Sequence, residues 1–592
     1  MTESMAIDTT ARATRHGLRR WLRWLPPGLV ALLTVWLFVL PLVLLAYGAI
    51  RTSPFPPAEW TLDGVTRVVG RAYIWRALGV TLVYSAVVAS LGTCVALGLL
   101  LISQRSQAPL RRAITPSMVI LLAVPKSYYA LAWAMAGSGT GGLVNKALAT
   151  VGADGLANGF STHNWYGVVA VSTIKTASIA YLLLLSPVRA SGKSSTEAAR
   201  VCGAGVTRAF LGIEVPSLAP ALLGTTLLGF VLTMQEFEVP AILGLGANIR
   251  VFSTTVYTYL QDPLGPDYSA ASTASMILVL LVMLCVVAQL RLLGDRSFVT
   301  VQARAAGDRS ATRSRWRWAL TGVILAWVAL TIALPFAQML VGSFQSYFGV
   351  FDGWTAGNYR AVFADPATRK AILVTVIGSA AGGAISVLLS FTLAYVFVRG
   401  RGRLPLFARL GSWVPATMPG LVFGLALLWV YAVVPGLNRL FGTPLPLLIG
   451  LLVSVVPFAV RALEGSLTQL SSELEEAARV SGDSFIGEVR RVLVPLMWPA
   501  LASAWVLVVF VMSGTLDVPL LLAQTGTDTV STLSYSLFQN GGLAPAAALY
   551  CTALACFLLL TGVLGAAVVC IRKWSARRRG DLSAAVPDEG RL

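Results

Sequence analysis

Charged side chains are scarce in this chain. Asp, Glu, Lys and Arg make up 12% of the 592 residues, whereas hydrophobic residues make up 56%. An average soluble domain is about 25% charged. A chain with so few charges cannot cover a folded domain with solvated side chains, so the composition excludes an ordinary soluble protein and predicts an integral membrane protein.

Histidine and cysteine are scarce too. His16 and His163 are the only histidines, and the six cysteines include no C-x-x-C pair. The ligand spacing of a zinc site is therefore missing, and the cysteines are interpreted as small buried hydrophobic residues. Gly192-Lys193-Ser194 matches the end of a phosphate-binding P-loop, but Pro187 occupies the place of the leading glycine. The sequence therefore predicts a chain that is not an enzyme and binds no cofactor or metal.

Long apolar runs account for the missing charge. A helix needs about 20 apolar residues to cross the hydrocarbon core of a membrane, and each half of the chain has six such runs. They lie near 27–50, 75–103, 113–136, 165–188, 218–245 and 272–293, and near 317–342, 370–398, 408–434, 444–463, 498–523 and 545–571. The predicted fold is an all-α integral membrane protein with about 12 transmembrane helices in two homologous six-helix modules.

The basic residues are distributed unevenly across this arrangement. If both termini are cytoplasmic, the segments on that side hold 33 of the 45 Lys and Arg, and the opposite loops hold 10. Because this bias sets orientation, we expect a multi-pass membrane protein with both termini in the cytoplasm. The net charge of +19 is explained by contact with anionic membrane lipid rather than nucleic acid, since no soluble basic domain is present.

The same runs define the predicted domains. A basic cytoplasmic tail at 1–26 precedes the first six-helix module at 27–293, and a cytoplasmic linker follows at 294–316. The second six-helix module, at 317–571, leads to a cytoplasmic tail at 572–592. The apolar run after the first tail is too long for the hydrophobic region of a signal peptide. We interpret it as the first membrane anchor.

A 20-residue block occurs twice, from Glu197 and from Glu476, with eight identical positions at an offset of 279. The register continues without a gap to Pro240 and Pro519. A repeat of this length indicates two homologous halves. The alternative for a single copy is a loop helix that only connects two spans.

Each copy has the pattern of a short capped helix. The S-x-x-E spacing of a capping box occurs at Ser194 with Glu197 and at Ser472 with Glu475. Gly203 and Gly482 are placed to end the helix in a left-handed conformation. The alanine pairs Ala198-Ala199 and Ala477-Ala478 would leave a smooth face for a groove on another protein. A surface presented twice predicts a partner with two matching sockets.

The block resembles the EAA loop of permease subunits of binding-protein-dependent ABC importers. Both copies match its pattern in full, at Glu197, Ala198, Ala199, Gly203, Ile213, Val215 and Pro216 and at Glu476, Ala477, Ala478, Gly482, Val492, Val494 and Pro495. The resemblance implies that the Glu, Ala and Gly positions form coupling helices that dock into ATP-binding subunits. It also implies two ABC ATPase subunits, as a homodimer that binds ATP and Mg, and an extracytoplasmic solute-binding protein. Transport would then follow alternating access, and the resemblance implies a location in the bacterial plasma (inner) membrane.

The segment from Phe237 to Gly244, followed by Val251 to Tyr257, is similar to the first half of ferric-iron-type permeases. The second half has Gly514 to Pro519 where those permeases often have a Lys-Glu-Leu-Pro-type segment. The resemblance implies import of ferric iron, with thiamine, phosphonate or polyamine as alternatives. A twelve-helix secondary carrier is less favoured, because the loops at 105–112 and 399–409 lack the Gly-Asp-Arg pattern of such carriers.

Five charged side chains fall at membrane depth, away from the ends of the predicted helices: Lys126, Lys175, Glu236, Glu238 and Asp517. Each costs about 2.5–3.5 kcal/mol at a helix centre, so such residues usually face an interior or a cavity. We predict that they line the transport pathway, with Glu238 and Asp517 as repeat equivalents beside Pro240 and Pro519, which would break or kink their helices. The alternative is a set of interhelical ion pairs, such as Lys126 or Lys175 with Glu236.

Overall fold

The computed structural model describes most of the chain between the two tails. The described residues are 32, 34–150, 152, 155, 160–190, 198–199, 201–205, 208, 210–293, 316–400, 417–524 and 526–562. The predicted tails, the linker apart from Trp316, and the positions Ser194 and Glu197 therefore lie outside them. Within the described ranges the chain forms helices and loops with no strand, and two isolated β-bridges are present.

The helices fall into two similar series. In the first half they are α1 (Val35–Gly48), α2 (Asp63–Gly70), α3 (Ala72–Arg105), α4 (Ile114–Ala123), α5 (Lys126–Ala136), α6 (Leu143–Thr150), α7 (Trp165–Ala190), α8 (Ala219–Met234), α9 (Phe252–Leu260) and α10 (Tyr268–Leu293). In the second half they are α11 (Arg317–Ser343), α12 (Gly357–Ala364), α13 (Pro366–Arg399), α14 (Gly420–Val433), α15 (Leu445–Leu467), α16 (Glu473–Val480), α17 (Phe485–Gly514), α18 (Asp517–Leu522), α19 (Val530–Gln539) and α20 (Leu543–Gly562).

The predicted membrane spans correspond to these helices. In the described part of the chain, eight helices are long and apolar enough to cross a membrane, and two bent pairs raise that number to ten. The shorter apolar helices α1 and α14 occupy the places of the first and ninth predicted spans. The all-α, multi-pass fold is therefore confirmed.

The two halves share a common plan with one insertion. Helices α3 and α13 are both 34 residues long and lie 294 positions apart. The isolated bridges Arg51–Trp60 and Gln345–Trp354 have the same separation. Because the repeated block later in each half has an offset of 279, the first half has its extra residues in between, in the loop that contains α6.

The first helix of each half packs against the other half. Helix α1 contacts α14, and α11 contacts α5. The Tyr129 hydroxyl on α5 donates to the carbonyl of Thr331 on α11 at 2.8 Å. Gly48 on α1 lies so close to the Trp429 ring on α14 that a Cβ would fall 2.4 Å from it. The halves are therefore interlocked.

The third span of the first half is broken. Helix α4 ends at Ala123 and α5 begins at Lys126, with 102° between them, so the predicted continuous span 113–136 is wrong. Pro125 disfavours the helical conformation of Val124, whose ψ is 127°, and its ring has no N–H to continue the ladder. Pro419 precedes α14 in the same way, with ψ at 142°.

The fifth span of each half also ends earlier than predicted. Helix α8 ends at Met234 rather than near 245, and α17 ends at Gly514 rather than near 523. The helical path resumes at Glu238 and at Asp517. Pro240 and Pro519 therefore lie in the first turn of the new segments, where a missing N–H leaves no helical bond unmade. The prediction that these prolines break the helices is wrong, because each break lies upstream.

Candidate functional site

Helix α16 contains the second of the two segments predicted to couple to an ATPase subunit. The capping box predicted for Ser472 and Glu475 is absent, because Ser472 is already helical, with φ at −65°, and its side chain accepts no capping bond. The hydroxyl of Ser471 instead accepts from the N–H of Glu473 at 3.2 Å. The Glu475 carboxylate is turned inward, where it contacts Arg399 on α13. The equivalent pair Ser194 and Glu197 lies outside the described residues.

The end of α16 is formed as predicted. Gly482 has φ of +87° and Gly203 has φ of +90°, the left-handed region that favours glycine. The N–H of Asp483 reaches the Ala478 carbonyl at 3.0 Å, and the N–H of Gly482 reaches Arg479 at 3.0 Å. These two bonds are those of a Schellman motif. The C-cap prediction is thus confirmed for both glycines.

The alanine pairs do not form one smooth exposed face. In the second copy Glu476 and Ala477 are exposed and Ala478 is buried. In the first copy Ala198 is exposed and Ala199 is half-buried. Because neighbouring helical residues point about 100° apart, only one alanine of each pair faces outward. This corrects the prediction of a surface formed by both.

Large apolar side chains surround these exposed positions. Val480 is 89% exposed and Ile486 is 75% exposed beside α16, and in the first half Val201 is 88% exposed. Exposed apolar groups with a polar rim, which Glu476 supplies here, are typical of a protein interaction site. Val201, Val480 and Ile486 were not predicted from the sequence, although their apolar character within charged segments could have indicated them.

A second set of candidate residues lies in the membrane domain. Lys126 is the first residue of α5, and its Nζ lies 3.2 Å from Oε1 of Glu236, in the break after α8. The hydroxyl of Tyr84 on α3 donates to Oε2 of the same carboxylate at 2.8 Å. Glu236 is buried, whereas the side chain of Lys126 is 36% exposed. One of the two ion pairs considered from the sequence is therefore present, with a partly exposed cation and a buried carboxylate.

Lys175 has a different environment. From α7 its Nζ donates to the carbonyl of Val124 at 2.6 Å and to the carbonyl of Leu121. These two acceptors belong to the last turn of α4 and to the break before α5. A carbonyl freed by a helix break in a membrane needs a new donor. Lys175 supplies it, so this lysine supports the break at Pro125.

Glu238 and Asp517 lie at the boundary between the halves. Oε1 of Glu238 accepts from the backbone N–H of Leu516 at 2.8 Å, one residue before Asp517. Asp517 accepts from Val518 N–H at 2.9 Å and packs on Gly420, where a Cβ would lie 1.7 Å from its Oδ2. Among the described residues, neither carboxylate has a basic side chain within ion-pair distance. The structure therefore brings together four of the five predicted residues: Lys126, Glu236, Glu238 and Asp517. Lys175 contacts the break between α4 and α5 instead.

Two further side chains join α5 to the second half. The hydroxyl of Ser127 donates to the Gly514 carbonyl at 2.5 Å, and that of Tyr128 donates to Ser513 at 3.0 Å. Gly514 lies against Pro125, whose Cβ would be 1.8 Å from an added Cβ. These contacts and Tyr84 were not predicted from the sequence. Pro125 before α5 and Pro419 before α14 could have indicated that the helical path is interrupted at these points.

Within the described ranges, no group of three or more His, Cys, Asp or Glu side chains is arranged to hold a metal ion. A closed coordination sphere takes several ligands, and the described carboxylates at this boundary are not arranged to supply them together.

The comparisons with known proteins agree on one family. The family described as "Binding-protein-dependent transport system inner membrane component" matches residues 91–298 and 386–580. The chain is similar to the "Ferric transport system permease protein FbpB" of Actinobacillus pleuropneumoniae, with 26% identity over 501 residues that cover 80% of this chain and 69% of that protein.

Two other similar proteins match shorter parts of the chain. The "Fe(3+)-transport system permease protein FbpB 2" of Haemophilus influenzae is 23% identical over 393 residues, which cover 64% of this chain and 72% of that protein. The "Molybdenum transport system permease protein ModB" of Mycobacterium bovis is 28% identical over 217 residues, which cover 35% of this chain and 82% of that protein. Relatives of this chain are therefore named for more than one solute.

Proposed function

Because both halves match over more than half of the chain, the chain belongs to the binding-protein-dependent transport system inner membrane components, and we propose that it is the fused permease of an ATP-driven importer of ferric iron. Membership of this family makes the chain a permease and decides against a secondary carrier. The family also indicates a non-catalytic membrane component, so the energy comes from other subunits.

The single observation behind the choice of solute is the placement of Glu238 and Asp517. Glu238 is buried and Asp517 is half-buried at the boundary of the halves, at equivalent positions of the repeat, and neither has a basic side chain within ion-pair distance in the described part of the chain. A buried carboxylate without a cation is unfavourable, and a cationic solute would compensate it in passing. The relatives named for ferric transport support the same solute.

The proposed cycle uses both candidate sites. A binding protein delivers the solute to the outer face, and two ATPase subunits close on ATP at the inner face. Their closure displaces the two coupling segments at Ala198–Gly203 and at α16, and the halves rotate about the boundary at Glu238 and Asp517. Lys126 with Glu236 lines the path, and Lys175 keeps α5 in place. Both termini lie in the cytoplasm.

Transport in a defined system tests the proposal. The chain would be reconstituted with its ATPase and binding protein in sealed proteoliposomes, and uptake of radiolabelled ferric iron, thiamine, aminoethylphosphonate and spermidine would be compared with and without internal ATP. We expect iron uptake only with ATP and with the binding protein. ATP-dependent uptake of another solute without iron uptake would overturn the assignment of iron and retain the importer. Uptake without ATP would overturn the importer.

A further inference from the structure

The long helices α3 and α13 each end in an arginine at the predicted cytoplasmic end. In the first half, the guanidinium of Arg105 contacts the carboxylate of Glu214 and donates to the Val188 carbonyl at 3.2 Å. In the second half, Arg399 donates to Oε1 of Glu475 at 2.9 Å and to the Leu470 carbonyl at 2.8 Å. Each arginine thus joins its helix to a carboxylate and to the chain that leads into the coupling loop.

The two carboxylates have different places in the repeat. Glu475 lies in the first turn of α16, directly before the Glu-Ala-Ala sequence, whereas Glu214 lies beyond Gly203, directly before Val215-Pro216. At the offset of 279, Glu475 corresponds to Thr196, Glu488 to Ala209 and Leu493 to Glu214. Equivalent arginines therefore reach non-equivalent partners, so the two coupling loops are attached to their helices in different ways.

In the second half the contacts continue beyond Arg399. Arg479, on α16, lies 3.9 Å from Glu475 and forms two hydrogen bonds with Glu488, at 2.7 and 3.0 Å. Glu488 is fully buried in α17, and hydrogen bonding to it raises the pKa of Arg479 above its ordinary value. Paired arginine–carboxylate bonds fix orientation as well as distance. The alternating charges therefore connect α13, α16 and α17.

We propose that Arg399, Glu475, Arg479 and Glu488 are positioning residues that make α16 move together with α13 and α17 when the ATPase subunits close. This inference rests on the proposed coupling to ATPase subunits. In the first half, the contact between Arg105 and Glu214 transmits movement from beyond the coupling helix instead. The carboxylate that each arginine contacts therefore lies at a different place relative to the coupling helix in the two halves.

Loss of these contacts should lower the amount of solute transported per ATP hydrolysed. When the contact between Arg399 and Glu475 is lost, α16 still presents Glu476 and Ala477 to the ATPase, since both are exposed and make no part of the contact. Docking and ATP hydrolysis therefore persist, whereas movement of α16 no longer displaces α13. A residue that only stabilised the fold would lower docking, hydrolysis and uptake together.

The experiment compares Arg399→Glu, Glu475→Arg and the double exchange in the complete transporter with its ATPase and binding protein. We expect each single variant to lower the amount of solute taken up per ATP hydrolysed by about fivefold or more, and the exchange to restore it to within about twofold. Arg491→Glu is the matched control, because Arg491, in the first turns of α17, pairs with Asp483 at 2.8 Å but has a side chain that is 74% exposed and forms no ion pair with α13. It should leave the ratio unchanged.

A second measurement uses the chain alone in detergent. Hydrogen exchange of the α16 amides should accelerate about tenfold in each single variant and return to the original rate in the exchange variant. An unchanged ratio in the single variants, or no restoration in the exchange variant, would overturn the proposal. If the unmodified transporter shows no ATP-dependent uptake, the proposed function fails. Independently of that result, unchanged hydrogen exchange of the α16 amides in the single variants would show that Arg399 and Glu475 do not hold α16 to α13.

Discussion

The carboxylate of Glu238, in the first half of the chain, accepts a hydrogen bond from the backbone N–H of Leu516, in the second half, at 2.8 Å. Leu516 lies in the gap between α17 and α18, where the N–H has no partner within a regular helix. Glu238 of the first half thus accepts from a backbone N–H that lies directly before Asp517 of the second half. Any relative rotation of the halves has to alter this contact.

Removal of both charges at this boundary should slow transport without unfolding the chain. In the double variant Glu238→Gln with Asp517→Asn, the amide oxygens can still accept from the N–H groups of Leu516 and Val518. A cation would lose two attractive charges, which lowers uptake of iron by about tenfold or more. Uptake of radiolabelled iron in proteoliposomes measures the effect, and co-purification of the ATPase shows that the complex remains assembled.

The control removes the same two charges elsewhere. Glu59 and Asp262 are exposed residues of the predicted outer loops, so Glu59→Gln with Asp262→Asn should leave iron uptake unchanged. The expectation for a neutral or anionic solute is different, with little loss or a gain in the Glu238 and Asp517 variant. Undiminished iron uptake in that variant would contradict a pathway role for both carboxylates.

Much of the fold could be predicted from the sequence because it depends on composition and repetition. Apolar length determines where helices can cross a membrane, and the repeated Glu-Ala-Ala block with Gly482 depends on local backbone geometry alone. The breaks before Lys126 and Glu238 were missed because each interrupts an apolar run without changing its hydropathy. Pro125 was visible in the sequence, but tolerance of the break depends on Lys175, which is 50 residues away.

The pairing of charges was predictable only in part. Opposite charges at membrane depth made Lys126 and Glu236 candidates for an ion pair, which the structure contains. The capping box predicted at Ser472 is absent because Glu475 pairs with Arg399 on a distant helix rather than with the local backbone. The bond between Arg399 and Glu475 joins residues 76 positions apart, and no local pattern indicates it.

Loss of the amino group at position 175 should destabilise the first half. In Lys175→Met, a side chain of similar length remains, but the carbonyls of Leu121 and Val124 lose their donor. Because an unsatisfied buried acceptor is costly, we expect the free energy of unfolding to fall by about 2 kcal/mol or more. Unfolding in mixed micelles measures it. Lys370→Met is the control, since Lys370 is exposed at the start of α13; an equal loss in both variants would contradict the role of Lys175.

Gly482 should be needed for its conformation and not for the space that it leaves. A Cβ at Gly482 would meet no atom within 4 Å, and the same is true of Gly465 at the end of α15. Only Gly482 has a positive φ, of +87°, so Gly482→Ala should cost about 1–2 kcal/mol locally. The end of α16 should then be remodelled and binding of the ATPase weakened.

Gly465→Ala should have no such effect, because alanine is favoured in a helix. The amount of ATPase that co-purifies with each variant measures the difference. Gly482→Asn should lie in between, since Asn adopts the left-handed conformation more readily than Ala. Equal ATPase binding by Gly482→Ala and Gly465→Ala would show that the left-handed C-cap of α16 has no part in docking.

The orientation of the chain can be tested at exposed positions on each side. In a version without the six native cysteines, we expect Leu264→Cys and Asn540→Cys to react with an impermeant thiol reagent in intact cells. Both residues are exposed, Leu264 at 99%. Val201→Cys and Val480→Cys, at 88% and 89% exposure, should react only after the membrane is opened, because the basic segments around them are expected to stay in the cytoplasm.

Ser172→Cys, at a fully buried position, should react in neither case and so excludes labelling of unfolded chains. Labelling of Val480→Cys in intact cells would place α16 on the outer side, where no ATPase can reach it, and would contradict both the orientation and the coupling role of this helix.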